Sequence, residues 1–314
     1  MIVNLVPEFL AVLAASPQTR TDAYHEYLER HRAVLGPYWH NYVIDLDAPP
    51  AAAVMAAALA ADRRDLTRLL ERVDLDDIAA RALARAQEVL GVTQEFDVYL
   101  TIGVGAANAG ELVVNGRGIV VVCLEHFTGV ANPETYALGL PPSLIPMWIV
   151  HEAAHLVRYL DTESRAGIRR LIQDAGGNYD CWDLASRASL REMLVNEGVA
   201  VHAARAAAPG LREEDYYGFT RRQYKRLREL EVFLFRAARP ELDHSGLGLR
   251  LRWLTGGMSP AARLALGRVL PERAGYYLGA RITEALVAER GVSWATRATA
   301  DEFTQAQQGR AVGA

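Results

Sequence analysis

The chain has 314 residues, 51% of them hydrophobic and 23% charged, with a net charge of −4. That composition is globular and large enough for one sizeable domain or two modest ones. It excludes an electrostatic case for nucleic acid or an anionic membrane, and no apolar run reaches the ~20 residues that span a bilayer. The start, Met1-Ile2-Val3-Asn4-Leu5-Val6-Pro7-Glu8, has no basic segment and is interrupted by Glu8, so it reads as mature sequence. Cys123 and Cys181 read as buried thiols, and the expected compartment is the cytoplasm.

The first ninety residues read as helical. Between Thr21 and Tyr42, Tyr24, Tyr27, His31, Leu35, Tyr38 and Tyr42 recur at helical spacing. This predicts one helix, or a pair broken near Gly36-Pro37. The Ala-, Leu- and Arg-rich stretch from Ala51 to Leu90 predicts two more helices. The character then changes. Phe96–Gly103 and Gly118–Leu124 carry the β-branched and aromatic residues of strands. Gly103-Val-Gly-Ala-Ala-Asn-Ala-Gly110 between them lacks GxGxxG and leads to a strand, so it reads as a glycine-rich connection and not a phosphate loop. Pro146 suits the first turn of the next helix. Further helices are predicted over Leu190–Ala208, Tyr216–Arg239 and Gly275–Ala288, with a loop at Gly176-Gly177-Asn178. The expected fold is α+β and predominantly helical. Residues 1–90 form a helical region and 91–314 a metal-binding catalytic region, read as one continuous domain.

Chemistry concentrates in Trp148-Ile149-Val150-His151-Glu152-Ala153-Ala154-His155-Leu156-Val157. Positions i and i+4 share one helix face, so His151 and His155 can offer imidazoles to one metal ion. Glu152 is then placed to meet a metal-bound water as general base. No other charge interrupts the stretch, as a buried helix with a dry site requires. A catalytic zinc usually takes a third protein ligand. No third histidine follows His155 at metzincin spacing. Glu197, in Leu194-Val195-Asn196-Glu197-Gly198-Val199-Ala200-Val201-His202, is the leading candidate, because a carboxylate in so apolar a run needs a partner. The competing readings are an ion pair of Glu197 with Arg191 or Arg205, and Glu192 as the ligand. His126 and His202 read as ordinary polar residues. Gly198 would let another backbone approach.

This pairing of HExxH with a later Asn-Glu-Gly-x-Ala helix resembles the gluzincin arrangement, and more narrowly a bacterial family of predicted Zn-dependent proteases. The resemblance implies a zincin-like fold with a small mixed or antiparallel sheet beside the HExxH helix. It implies His151, His155 and Glu197 as zinc ligands and Glu152 as base. Ala153 and Ala154 depart from the bulkier residues common there. Gly275-Tyr276-Tyr277-Leu278-Gly279 is a further shared block; its glycines suggest close backbone approach, and Tyr276 or Tyr277, the former by the resemblance, could donate to an oxyanion.

The expected activity is zinc-dependent hydrolysis of a peptide or small amide, with Gly118–Leu124 as an edge strand that an extended substrate could join. The alternative is a non-haem Fe(II), 2-oxoglutarate-dependent oxygenase on the same triad, with Arg158, Arg205 or Arg281 gripping the cosubstrate. A third reading is a metal-stabilised binding protein without turnover, against which the intact Glu152 counts. No nucleic acid or membrane partner is expected, and nothing in the sequence fixes an oligomeric state.

Overall fold

A computed structural model describes residues 1–304. The end of the expected second region, residues 305–314, lies outside them. The described residues form a predominantly helical α+β fold with a small mixed sheet, as expected, and two short hairpins besides. No helix among them is long and apolar enough to cross a membrane. They divide into two compact units. One comprises residues 1–84, 95–152 and 177–180; the other takes the remainder.

The first unit holds the sheet. Its strands are β1 (Ile2–Asn4), β2 (Asp97–Thr101), β3 (Ala109–Val114) and β4 (Arg117–Cys123), in the order β1-β2-β4-β3. β1 and β4 run parallel to β2, and β3 runs antiparallel to β4. The expectation that Gly118–Leu124 is an edge is therefore wrong. β4 has a hydrogen-bonded neighbour on each side, and its Val120, Val121 and Val122 are fully buried. Such a run of valines is what a strand covered on both faces requires. The edges are β1 and β3. β3 lies where no strand is predicted, and the turn explains it: Asn115 and Gly116 both have positive φ (51° and 76°), which closes a two-residue hairpin with the handedness of the strands.

The same unit contains α1 (Val6–Ala14), α2 (Arg20–Arg30), α3 (Arg32–Tyr42), α4 (Ala51–Ala60), α5 (Arg64–Arg72) and most of α6 (Leu75–Leu90). The Thr21–Tyr42 pair breaks at His31, not at Gly36-Pro37. Pro37 removes one donor, yet helix α3 continues through it, and the Asn41 amide donates to the Pro37 carbonyl at 2.8 Å. His31 at the break is held by Glu8 at 3.0 Å. The Ala51–Leu90 stretch gives three helices where two were expected, because Arg63 and Val73 leave helical geometry. Helix α7 (Ile145–Leu160) begins in this unit, with Pro146 in its first turn.

The second unit takes the rest of α7, then α8 (Gly167–Asp174), α9 (Cys181–Arg187), α10 (Leu190–Ala207), α11 (Arg221–Glu229), α12 (Glu231–Ala238), α13 (Leu247–Trp253), α14 (Ala274–Arg290) and α15 (Val292–Ala295). Its core is the crossing of α10 and α14. A Cβ on Gly198 would lie 2.2 Å from the Gly279 carbonyl, and one on Gly279 would lie 2.0 Å from the Leu194 carbonyl oxygen. The two backbones touch where neither helix has a side chain, as the glycines suggested. Cys123 and Cys181 are buried and form no disulfide.

The crossing has a direct test. Gly198→Ala should cost about 1–3 kcal/mol or more, because overpacked backbone cannot relax as a side chain can. Gly248, in α13, faces open space, and Gly248→Ala should leave stability unchanged or slightly raise it. Thermal unfolding of the two variants reads the difference; equal melting temperatures would remove the close crossing from the account.

Candidate metal centre

Helix α7 is buried from Met147 to Tyr159 without a solvent-facing stripe. A helix apolar all round belongs in an interior. His151, Glu152 and His155 are its polar intrusions in that stretch before Arg158, at 1%, 4% and 2% exposure. The Trp148 ring packs 5.0 Å from the His151 ring, and the His155 ring lies nearly parallel to Tyr159 at 6.1 Å. These neighbours limit the imidazole rotamers, so the two rings are placed before any ion arrives.

Helix α10 supplies the carboxylate. Ser189 caps its start by accepting from the Glu192 backbone N–H. Three successive contacts then align α10 with the second half of α7. His155 Nε2 lies 3.6 Å from Glu197 Oε2, the Asn196 amide donates to the Tyr159 hydroxyl at 2.9 Å, and the Arg158 guanidinium donates to Glu192 at 2.7 Å. Arg158 is fully buried and also donates to the Ala295 and Ala298 carbonyls. Its ion pair with Glu192 answers the question of competing carboxylates: Glu192 fixes the helices, and Glu197 faces the imidazole. Arg191 and Arg205 are engaged by Asp243 and Glu213.

One ligand atom each from His151, His155 and Glu197 lies within 4.8 Å of the others. The 3.6 Å between His155 and Glu197 is too long for a good hydrogen bond. It is shorter than the ~4.2 Å that two bonds of ~2.1 Å to one ion can span. Two imidazoles and one carboxylate are also a donor set that transition ions accept. The residues fit a metal ion.

A further carboxylate belongs to this neighbourhood. Glu111 of β3, 7% exposed, groups with Glu152 and His155, again with ligand atoms within 4.8 Å. The sequence reading missed it. Its signal is a single charge in the apolar run Ala109–Val114, which begins at the end of the glycine-rich connection and carries no strand prediction.

The tyrosines and the other two histidines make contacts of their own. The Tyr277 hydroxyl donates to Glu231 and its ring lies among Tyr217 and Tyr224, so its phenol is committed there. Tyr276 lies under the Arg273 guanidinium at 4.5 Å. His202 Nε2 bonds the Ala280 carbonyl at 2.9 Å, and burial lowers its pKa to about 4. His126 accepts from the Leu138 N–H, and burial likewise lowers its pKa. Burial thus holds both histidines neutral at pH 7. Comparisons with protein-family models, curated proteins and solved structures find nothing that matches this chain.

The roles of the two α10 carboxylates separate experimentally. Glu197→Gln should sharply lower bound zinc, measured by elemental mass spectrometry after dialysis. Glu192→Gln should keep the zinc and lower the melting temperature, since stranding a buried Arg158 costs on the order of 3–5 kcal/mol. Full zinc in the Glu197 variant would take that side chain out of the site.

Proposed function

We propose that this protein is a zinc-dependent hydrolase of peptides or related small amides, with Glu152 as general base. The observation that supports this most is the grouping of His151, His155 and Glu197 with Glu152 on the same turn of α7. A site that only stabilises the fold needs no carboxylate beside its first ligand. The gluzincin resemblance of the HExxH and Asn-Glu-Gly-x-Ala segments points the same way.

Zinc held by the triad would polarise the scissile carbonyl and lower the pKa of the attacking water toward ~7. The chain's own residues do the rest. Glu152, 4% exposed, takes the proton from the water and returns it to the leaving nitrogen, so one carboxylate serves both halves of the reaction. The dry walls of α7 keep competing water from the carboxylate. By the resemblance of the Gly275–Gly279 block, Tyr276 is the proposed donor to the developing oxyanion, while the Tyr277 hydroxyl serves Glu231.

The oxygenase alternative needs an arginine for the cosubstrate carboxylate. The three candidates are engaged: Arg158 by Glu192, Arg205 by Glu213, and Arg281 by Glu231 and Glu284. Iron and 2-oxoglutarate therefore gain no support from them.

Glu152→Gln keeps the shape and removes the base. It should retain zinc and melting temperature while turnover of a peptide or amide substrate falls by about 10²–10⁴-fold. Unchanged turnover would overturn the hydrolytic reading. Tyr276→Phe should lower kcat on the order of 10–10³-fold with little change in zinc content, because such donors act mainly in the transition state. A normal kcat would reduce Tyr276 to packing.

A further inference from the structure

An extended substrate binds a sheet by adding a strand to an open edge. The edge strand beside Glu152 is β3, whose Glu111 brings a carboxylate oxygen within 4.8 Å of that of Glu152. β1, the other edge, lies beyond β4 and β2. The hairpin decides which groups of β3 such a substrate would meet. Val114 and Arg117 face each other across the two-residue turn as a hydrogen-bonded pair. Gly110, Leu112 and Val114 therefore bond to β4, and Ala109, Glu111 and Val113 turn their backbone groups outward.

The chain itself holds this edge. The Tyr179 N–H donates to the Val113 carbonyl at 2.8 Å, and the Gly116 N–H donates to the Gly177 carbonyl at 2.8 Å. The Asn115 N–H donates to the Asn178 side-chain oxygen at 2.9 Å. Residues 177–179 thus sit where a further strand would pair. Gly177, at φ 76°, permits the approach: a Cβ on it would lie 3.3 Å from the Gly116 nitrogen. Further along, Tyr42 of α3 brings its hydroxyl to 2.8 Å from the Glu111 carbonyl oxygen and 2.9 Å from Oε2. Gly110 makes room for it, since a Cβ there would fall 2.5 Å from the Tyr42 ring. Burial, and then the Glu111 carboxylate, push the Tyr42 pKa well above its ordinary value, so this phenol stays a donor. The end of α3 secures the covering segment as well: the Asn41 amide donates to the Tyr179 carbonyl at 3.3 Å, and His40 meets Asp180 at 3.2 Å. Asn41 and Tyr179 are buried, so moving the segment aside would leave buried polar groups unpaired.

We infer that the substrate is a compact amide, of the size of a dipeptide or an N-acyl amino acid, and not an extended polypeptide. The Glu111 and Val113 carbonyls, which an added strand would need as acceptors, already have donors from the chain. The backbone of 177–179 fills the space that strand would take. A short substrate forms no ladder, so the closed edge costs it nothing. The choice of substrate rests on the hydrolase reading of Glu152; the closed edge does not.

The test measures kcat/KM of the zinc-loaded protein on a panel of N-acetylated dipeptide amides, and on the same dipeptides extended by roughly three residues at each end. Extension should lower kcat/KM about tenfold or more, where pairing with an open edge would raise it. An unchanged or higher value on the longer peptides overturns the inference. Tyr179→Pro removes the N–H that covers Val113. It should recover turnover of the longer peptides and leave that of the short ones unchanged. Tyr42→Phe, which uncovers the Glu111 carbonyl, gives the same readout if the proline variant fails to fold. Longer peptides still excluded from both variants would show that the covered edge is not what rejects them. If no amide in the panel is cleaved, the hydrolase reading fails, and the edge is judged by hydrogen exchange of the wild type. The Tyr179 N–H should be protected about a hundredfold or more, and free exchange there overturns the closed edge.

Discussion

Burial of charge on α7 is the constraint on which the rest of the molecule turns. Glu152 lies in an interior helix and Glu197, 14% exposed at its side chain, faces that helix. An uncompensated buried ion costs several kcal/mol even after relaxation. A chain with total stability of roughly 5–15 kcal/mol can carry that cost only if the charges meet a partner. A divalent ion held by the His151, His155 and Glu197 group would neutralise carboxylate charge and take both imidazoles as ligands.

The architecture serves to keep those groups in place. Arg158–Glu192 and Tyr159–Asn196 lock α7 to α10 on the C-terminal side of His155, and the glycine crossing of α10 with α14 fixes Glu197 from behind. The polar contacts give direction, and the close backbone approach gives rigidity. In the first unit, Gly110 admits Tyr42, whose hydroxyl donates to Glu111. A ligand set must be held to within about half an ångström to work, and such supporting contacts supply that precision.

How much of this was legible in the sequence follows from the range of each interaction. The pairing of His151 with His155 is a property of one helical turn, so spacing sufficed. Glu197 was legible because a lone carboxylate in an apolar run demands an explanation, and Gly198 announced the close approach that Gly279 completes. Glu111 was not, because its role depends on β3 lying beside β4, and the Asn115-Gly116 turn that makes them a hairpin was overlooked. The same oversight put β4 at the edge of the sheet: strand order is a matter of long-range pairing, and β1, three residues long, gave almost no local signal. Tyr277 illustrates the limit from the other side. Its glycine neighbours were read correctly, but its hydroxyl is claimed by Glu231, forty-six residues away. No periodicity encodes such a partner.

The central claim is that His151, His155 and Glu197 hold one metal ion together. Anomalous diffraction from crystals grown with zinc, collected on both sides of the zinc edge, tests it most directly. The expected result is a strong peak about 2.0–2.2 Å from one nitrogen of each histidine and one oxygen of Glu197. No peak there, or one with Glu197 turned away and another group in its place, would contradict it.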